Sequence, residues 1–136
     1  MKKKYLIITI SLLILLSIIV IYRNLRIPNG LNITINNKTK VNIENMYLSY
    51  NGSKDIKIPN IRANDKYKIN IKNTQFNEGQ LTLYYYDKHK LKIEEVLIGY
   101  FEEHDTFIVD VNVLAITEDK HLKLQVHSNQ KYLNIK

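Results

Sequence analysis

A chain of 136 residues with 45% hydrophobic and 24% charged residues can build at most one compact domain and lies far from the polar composition of disorder. The absence of cysteine excludes a disulfide framework, a thiol nucleophile and lipid attachment through a lipobox-type cysteine. The net charge of +7 is concentrated: Lys2, Lys3, Lys4, Arg23 and Arg26 flank one apolar run, leaving 15 basic against 13 acidic residues, too even a balance for nucleic acid.

That run, "YLIITISLLILLSIIVIY" from Tyr5 to Tyr22, is interrupted only by Thr9, Ser11 and Ser17. At about 1.5 Å per helical residue it covers roughly 27 Å, near the hydrocarbon thickness of a bilayer, and it has no polar face. The sequence therefore predicts a cytoplasmic basic N-terminus over residues 1–4, a transmembrane signal anchor over 5–22 with the lipid bilayer as its partner, and a tether over 23–30. Three lysines ahead of the run against two arginines behind it set the N-terminus inside and the C-terminal domain extracytoplasmic, a single-pass protein of the cell membrane. The first alanine is Ala63, so the small-residue cleavage site of a secretory signal is missing and the anchor is expected to stay uncleaved.

From Leu31 the pattern turns to alternation. Leu31, Ile33 and Ile35 share one face, followed by Val41, Ile43, Met46, Leu48 and Tyr50, then Ile56 and Ile58, then Tyr67, Ile69 and Ile71. Phe107, Val109, Val111 and Val113 alternate later, as do Leu122, Leu124 and Val126. Period two, broken at roughly ten-residue intervals by "NNKTK", "NGSK", "PNIRAND" and "NTQFNEG", predicts seven or eight strands joined by turns. The expected architecture over residues 31–130 is an all-β antiparallel sandwich, with a tail over 131–136.

The stretches "ITINNKTKVNIENMYLSY" and "IKIPNIRANDKYKINI" resemble the first strands of the Ig-like β-sandwich modules found in bacterial surface proteins. Together with the bias towards Lys, Ile and Asn, the whole is similar to small, single-pass, membrane-anchored exported proteins of Gram-positive bacteria. The resemblance implies a fold and a compartment, and brings no catalytic residues with it. Where such modules usually carry glycine, this chain has Asn64, which tolerates the left-handed conformation a turn needs.

Motifs for chemistry are scarce. The four glycines are isolated, no H-E-x-x-H or G-x-S-x-G occurs, and Ser49, Ser53 and Ser128 sit in no nucleophile elbow. "YFEEHDTF" concentrates Glu102, Glu103, His104 and Asp105; Glu102 and His104 share a face of an extended chain and are weak metal candidates, needing help from His121 or Asp119. A charged turn between strands is the simpler reading. The acceptor patterns at Asn32, Asn37 and Asn51 are coincidence in so asparagine-rich a chain.

"LTLYYYDKHKLKIEEVLIGYF" raises the question of which aromatics face out. A three-residue hairpin loop, Asp87 to His89, sets Tyr85 against Leu91 and Leu83 against Ile93, and a bulge at Glu94 or Glu95 brings Val96, Ile98 and Tyr100 inward. Tyr84, Tyr86, Leu97 and Phe101 then face outward and form the candidate partner-binding surface, more apolar than a solvated strand needs. The function that follows is a non-catalytic, membrane-tethered binding or accessory module at the cell envelope, with another envelope protein as its partner and no catalytic residue, nucleic acid or small-molecule cofactor. A metal-dependent protein built on Glu102 to Asp105, and a structural or immunity-type envelope protein, are the alternatives.

Overall fold

A computed structural model describes residues 2–25, 27–50, 54–72 and 78–131, with helix side chains described at Tyr5 and from Ile8 to Tyr22. Expectations that fall on 51–53, 73–77 and 132–136, among them the acceptor Asn51, Ser53 and nearly all of the tail, lie outside the described residues. One helix, α1 (Lys2–Leu25), precedes eight strands: β1 (Leu31–Asn37), β2 (Met46–Tyr50), β3 (Ile56–Lys57), β4 (Lys66–Ile71), β5 (Glu78–Tyr86), β6 (Lys92–Glu102), β7 (Phe107–Ile116) and β8 (Leu122–Gln130).

Among the described residues, no helix is long and apolar enough to cross a membrane. This overturns the span expected over residues 5–22, and with it the signal anchor and the single-pass localisation. Within α1 (Lys2–Leu25) the side chains of Tyr5 and of Ile8 to Tyr22 are described. The large apolar side chains described in that helix are exposed.

The strands form two four-stranded sheets in the orders β4-β1-β7-β8 and β3-β2-β5-β6, a β-sandwich. Every pairing between strands is antiparallel except β1 with β7, which run parallel with Leu31 beside Phe107 and Ile35 beside Val111. That pair has no counterpart in a sandwich of two wholly antiparallel sheets, the arrangement the resemblance implies. It brings two strictly alternating strands together, so Leu31, Ile33 and Ile35 meet Val109, Val111 and Val113 in one layer, all at most 1% exposed. Met46, Leu48, Leu81, Leu83 and Phe101 supply much of the opposing layer.

Asn37, one of the three acceptor-pattern asparagines, is fully buried at the end of β1. Its amide donates to the carbonyls of Val41, Ile61 and Arg62, and its Oδ1 accepts from the Thr39 N–H and hydroxyl. These bonds fold the β1–β2 connection against the segment before β4, where Asn64 adopts a φ of 58°. A neutral amide suits this place because it faces donors and acceptors at once.

One end of the sandwich is closed by two turns of the same construction. In "DKHKL", Asp87 N–H donates to Leu91 O, Lys90 N–H to Asp87 O, and Asp87 Oδ1 accepts from Leu91 N–H. In "TEDKH", Thr117 N–H donates to His121 O, Lys120 N–H to Thr117 O, and Thr117 Oγ1 accepts from His121 N–H. Lys90 and Lys120 are left-handed in both, with φ of 64° and 63°. The turns clasp each other: Lys88 N–H donates to Asp119 O, the Lys88 ammonium pairs with the Asp119 carboxylate, and His121 Nε2 lies 3.4 Å from Asp87 Oδ2.

Candidate functional site

The β5–β6 ladder decides which aromatics face out. Tyr85 lies opposite Ile93, Tyr84 opposite Glu94 and Tyr86 opposite Lys92, so the connecting loop spans 87–91 rather than 87–89, and Leu91 is exposed. The register then shifts twice, first where Thr82 and Leu81 oppose Val96 and Ile98, and again where Leu81 and Gly79 oppose Ile98 and Phe101. Each shift adds a residue to β6, and each extra residue reverses the faces beyond it.

The consequence for the expected surface is divided. Tyr84 and Tyr86 lie on the outer face of β5, while Leu97 and Phe101 are buried at 3% and 0% exposure, in the core rather than on a partner face. Val96 and Tyr100, expected inside, are outside. A single bulge at Glu94 or Glu95 turns Val96 and Tyr100 inward and Leu97 and Phe101 outward; two bulges further along β6 account for the exchange, while Ile98 is buried as expected.

The outer face contains more than the sequence reading identified. A cross-strand row runs Lys57, Tyr47, Tyr84, Glu94 over β3, β2, β5 and β6. The Tyr47 and Tyr84 rings stack at 4.9 Å and 9°, and Tyr86 stands edge-on to both, at 6.5 and 6.0 Å. The Lys92 ammonium lies 4.1 Å above the Tyr84 ring from the β6 side and pairs with Glu94. Tyr84 is thus covered on both faces by its neighbours, which is why an outward side chain is only 6% exposed.

Charge holds the cluster in place. The Tyr84 hydroxyl donates to Asp55 Oδ2 at 2.6 Å, a bond that raises the phenol well above its ordinary value, with burial and the Asp55 charge adding to it. The same bond, helped by Ser49 and Lys92 against a small burial effect, holds the Asp55 carboxyl below the ordinary aspartate value. Lys92 is raised, first by Glu94. At the far end Tyr100 donates to Glu78 at 3.0 Å and lies 3.4 Å from Glu102, and its hydroxyl is pushed up to about 12. Tyr86, Val96 and Tyr100, at 47%, 49% and 57% exposure, are what this face offers to solvent.

Beside Tyr86 the face drops into a depression of about 320 Å³ at the clasped end of the sandwich. Its apolar wall comes from Val41, Ile43, Tyr85, Ile116 and Leu122, and Glu44 and Lys120 line it with charge.

The Glu102–Asp105 segment is a tight turn. Asp105 N–H donates to Glu102 O, Glu102 N–H donates to Asp105 Oδ2, and Gln130 Nε2 donates to Asp105 Oδ1, so both carboxylate oxygens hold structure. Glu102 and His104 are exposed there. His121 and Asp119 sit in the clasp at the other end of β6, roughly 30 Å away at about 3.3 Å per residue, too far to join a shared metal site. Among the described residues, no three His, Cys, Asp or Glu side chains form a group able to hold a metal.

Tyr47, Asp55 and Lys92 are members of this face that sequence reasoning passed over, and Val96 and Tyr100 are members that it placed inward. Alternation in "MYLSY" sets Tyr47 opposite in face to Met46, Leu48 and Tyr50, but only the pairing of β2 with β5 brings it to Tyr84.

Two four-stranded layers with a tyrosine-rich outer face define a β-sandwich with a candidate binding surface. The chain matches the family described as "Domain of unknown function (DUF8725)" over residues 21–135 and belongs to it. No curated protein matches it. A solved NMR structure of a protein from Eubacterium rectale is similar with a TM-score of 0.45 and 12% identity, covering 72% of this chain and 87% of that one.

Proposed function

We propose that this chain is a non-catalytic binding module that docks a partner protein on the outer face of the β3-β2-β5-β6 sheet. The observation that carries this reading is the contrast within one cluster: Tyr47 and Tyr84 are locked by stacking, a cation and a carboxylate, and hold Tyr86 at their edge, where it remains 47% exposed. Preorganised aromatic side chains lose little entropy on contact, and Tyr is enriched in interface cores. Val96 and Tyr100 extend the strip along β6, and the depression beside Tyr86 has room for one apolar side chain of the partner. The surrounding charges, Lys57, Lys92 and Glu94, form the polar rim such interfaces have.

A photo-crosslinker placed at Val96 in the full chain, in the cells that make it, tests the reading. A discrete protein adduct that disappears when Tyr86→Ser and Tyr100→Ser are combined, with the unfolding midpoint of the chain little changed, is the expected result. An adduct indifferent to both replacements overturns it.

A further inference from the structure

A sandwich of two open sheets has four edge strands, and three of these are blunted. β3 is two residues long and runs into Pro59. β4 carries Lys66 and Lys68 along its six residues. β6 has two bulges and, opposite the core residue Leu83, the exposed charge of Glu95. Short strands, bulges, lysines and other charged side chains are the devices that keep an edge from pairing. β8 has nine residues with one lysine, Lys123, and no proline, no carboxylate and no bulge of its own, since the shift in its ladder with β7 inserts Leu114 on the β7 side. No described strand pairs with its free edge, although β6 of the other sheet approaches the strand.

The direction of its free backbone groups follows from its two ends. His121 O accepts from Thr117 N–H, and Lys131 N–H donates to Thr106 O, so the odd-numbered residues turn their backbone groups towards β7. Backbone groups alternate sides along an unbulged strand. The even-numbered residues therefore present theirs to the edge. Leu122 N–H is taken by the Tyr85 hydroxyl, which leaves the ladder open from Leu124 through Val126 to Ser128. The side chains of Leu122, Leu124 and Val126 pack against the core and yet are only partly buried, so the inner layer stops short at this side of the sandwich. The opposite face of the strand carries Lys123, Gln125, His127 and Asn129, and from Lys120 to Lys131 there is no acidic residue.

We infer that the β8 edge is a second interaction site, independent of the tyrosine face, and that it takes an extended segment of a partner protein as a ninth strand. Backbone groups at Leu124, Val126 and Ser128 bond the segment, its apolar side chains cover Leu124 and Val126, and acidic side chains on its other face meet Lys123 and His127. Main-chain bonds supply affinity in such strand addition, and alternate side chains supply selectivity.

The test uses the full chain and two blocked nine-residue peptides, one alternating valine with glutamate and one alternating valine with lysine, followed by amide hydrogen exchange. The glutamate peptide is expected to slow exchange at Leu124, Val126 and Ser128 at least tenfold and to bind at least tenfold tighter than the lysine peptide. Ser128→Pro removes an edge N–H that no internal ladder bond uses, and is expected to abolish the effect. Lys123→Glu leaves every backbone group in place and is expected to reverse the preference between the peptides, which keeps the test decisive if the proline variant fails to fold. No slowing at these three amides, slowing at β4 or β6 instead, or equal binding of both peptides overturns the inference. So does protection of the same amides that rises with chain concentration alone, which would assign the edge to a second copy.

Discussion

The β5–β6 and β7–β8 hairpins are turned by the same five-residue device and end up in different surroundings. Both heads accept the N–H four residues on with a side-chain oxygen, and both place a lysine at a left-handed fourth position. Asp87 is buried and reaches the second hairpin through His121, whereas Thr117 is exposed and serves only its own turn. The first ladder shifts register twice on β6, the second once on β7. Identical local construction thus fixes neither burial nor register, which depend on what each hairpin packs against.

The sharpest way to break the comparison is at the bulges. Phe101→Ala is expected to cost about 3–5 kcal/mol in chemical denaturation, as for a large core side chain, while Tyr86→Ser changes stability by no more than about 1 kcal/mol. A Phe101→Ala loss as small as that of Tyr86→Ser would mean that β6 carries the single early bulge instead.

The two turn heads come next. Asp87→Ala strands the N–H groups of His89 and Leu91 and removes the contact to His121, so its loss should be the larger. Thr117→Ala is expected to cost only about 0.5–1 kcal/mol, an exposed hydrogen bond's worth. Equal losses would show that the clasp contributes nothing beyond the turn.

Acid should separate the heads too. Burial alone pushes the Asp87 carboxyl up, but it is outweighed by the Leu91 N–H, the His121 ring, the His89 N–H and the His89 charge, and the carboxyl is held below its ordinary value. A lowered carboxylate contributes stability that is fully present above about pH 4, the unfolded value, and is lost as pH falls through the folded one. Asp87→Asn should therefore flatten part of the acid limb of a stability–pH profile, and Thr117→Ala should leave that limb parallel to the parent. An unchanged acid limb in Asp87→Asn would assign the acid sensitivity elsewhere, with Asp55 the next carboxyl to replace.

The smallest effect sharpens what the hairpins share. Lys90→Gly and Lys120→Gly each relieve a positive φ that an L side chain adopts at a cost, and each is expected to gain a few tenths to about 1 kcal/mol. A gain at one position and a loss at the other would show that one lysine side chain does more than turn the chain.

Much of the strand content is visible in the chain itself. Strict alternation at Leu31, Ile33 and Ile35 and at Val109, Val111 and Val113 names the buried face, because side chains of period two can cover only one side of a sheet. The outward position of Tyr84 and Tyr86 follows from the same rule. Leu97 and Phe101 defeated it, since a run of apolar residues such as "VLIGYF" satisfies either face and only the shifts against Thr82, Leu81 and Gly79 choose between them. Asn37 stood out in the sequence only as part of a turn and of a chance acceptor pattern, because its role depends on carbonyls at Ile61 and Arg62, two dozen residues away. The apolar block from Tyr5 to Tyr22 suggested a span by its length, its lack of a polar face and its basic flanks, and the described helix does not support that span.

By itself the sequence determined where strands run, which turns close them and which residues cannot do thiol chemistry, since these depend on neighbours within a few positions. Tertiary structure alone decided the parallel pairing of β1 with β7, the stacking of Tyr47 on Tyr84, the burial of Asp87 and the freedom of the β8 edge. Each of these joins or exposes residues by the packing of one strand on another, and a pattern of period two is the same for every partner it could pair with.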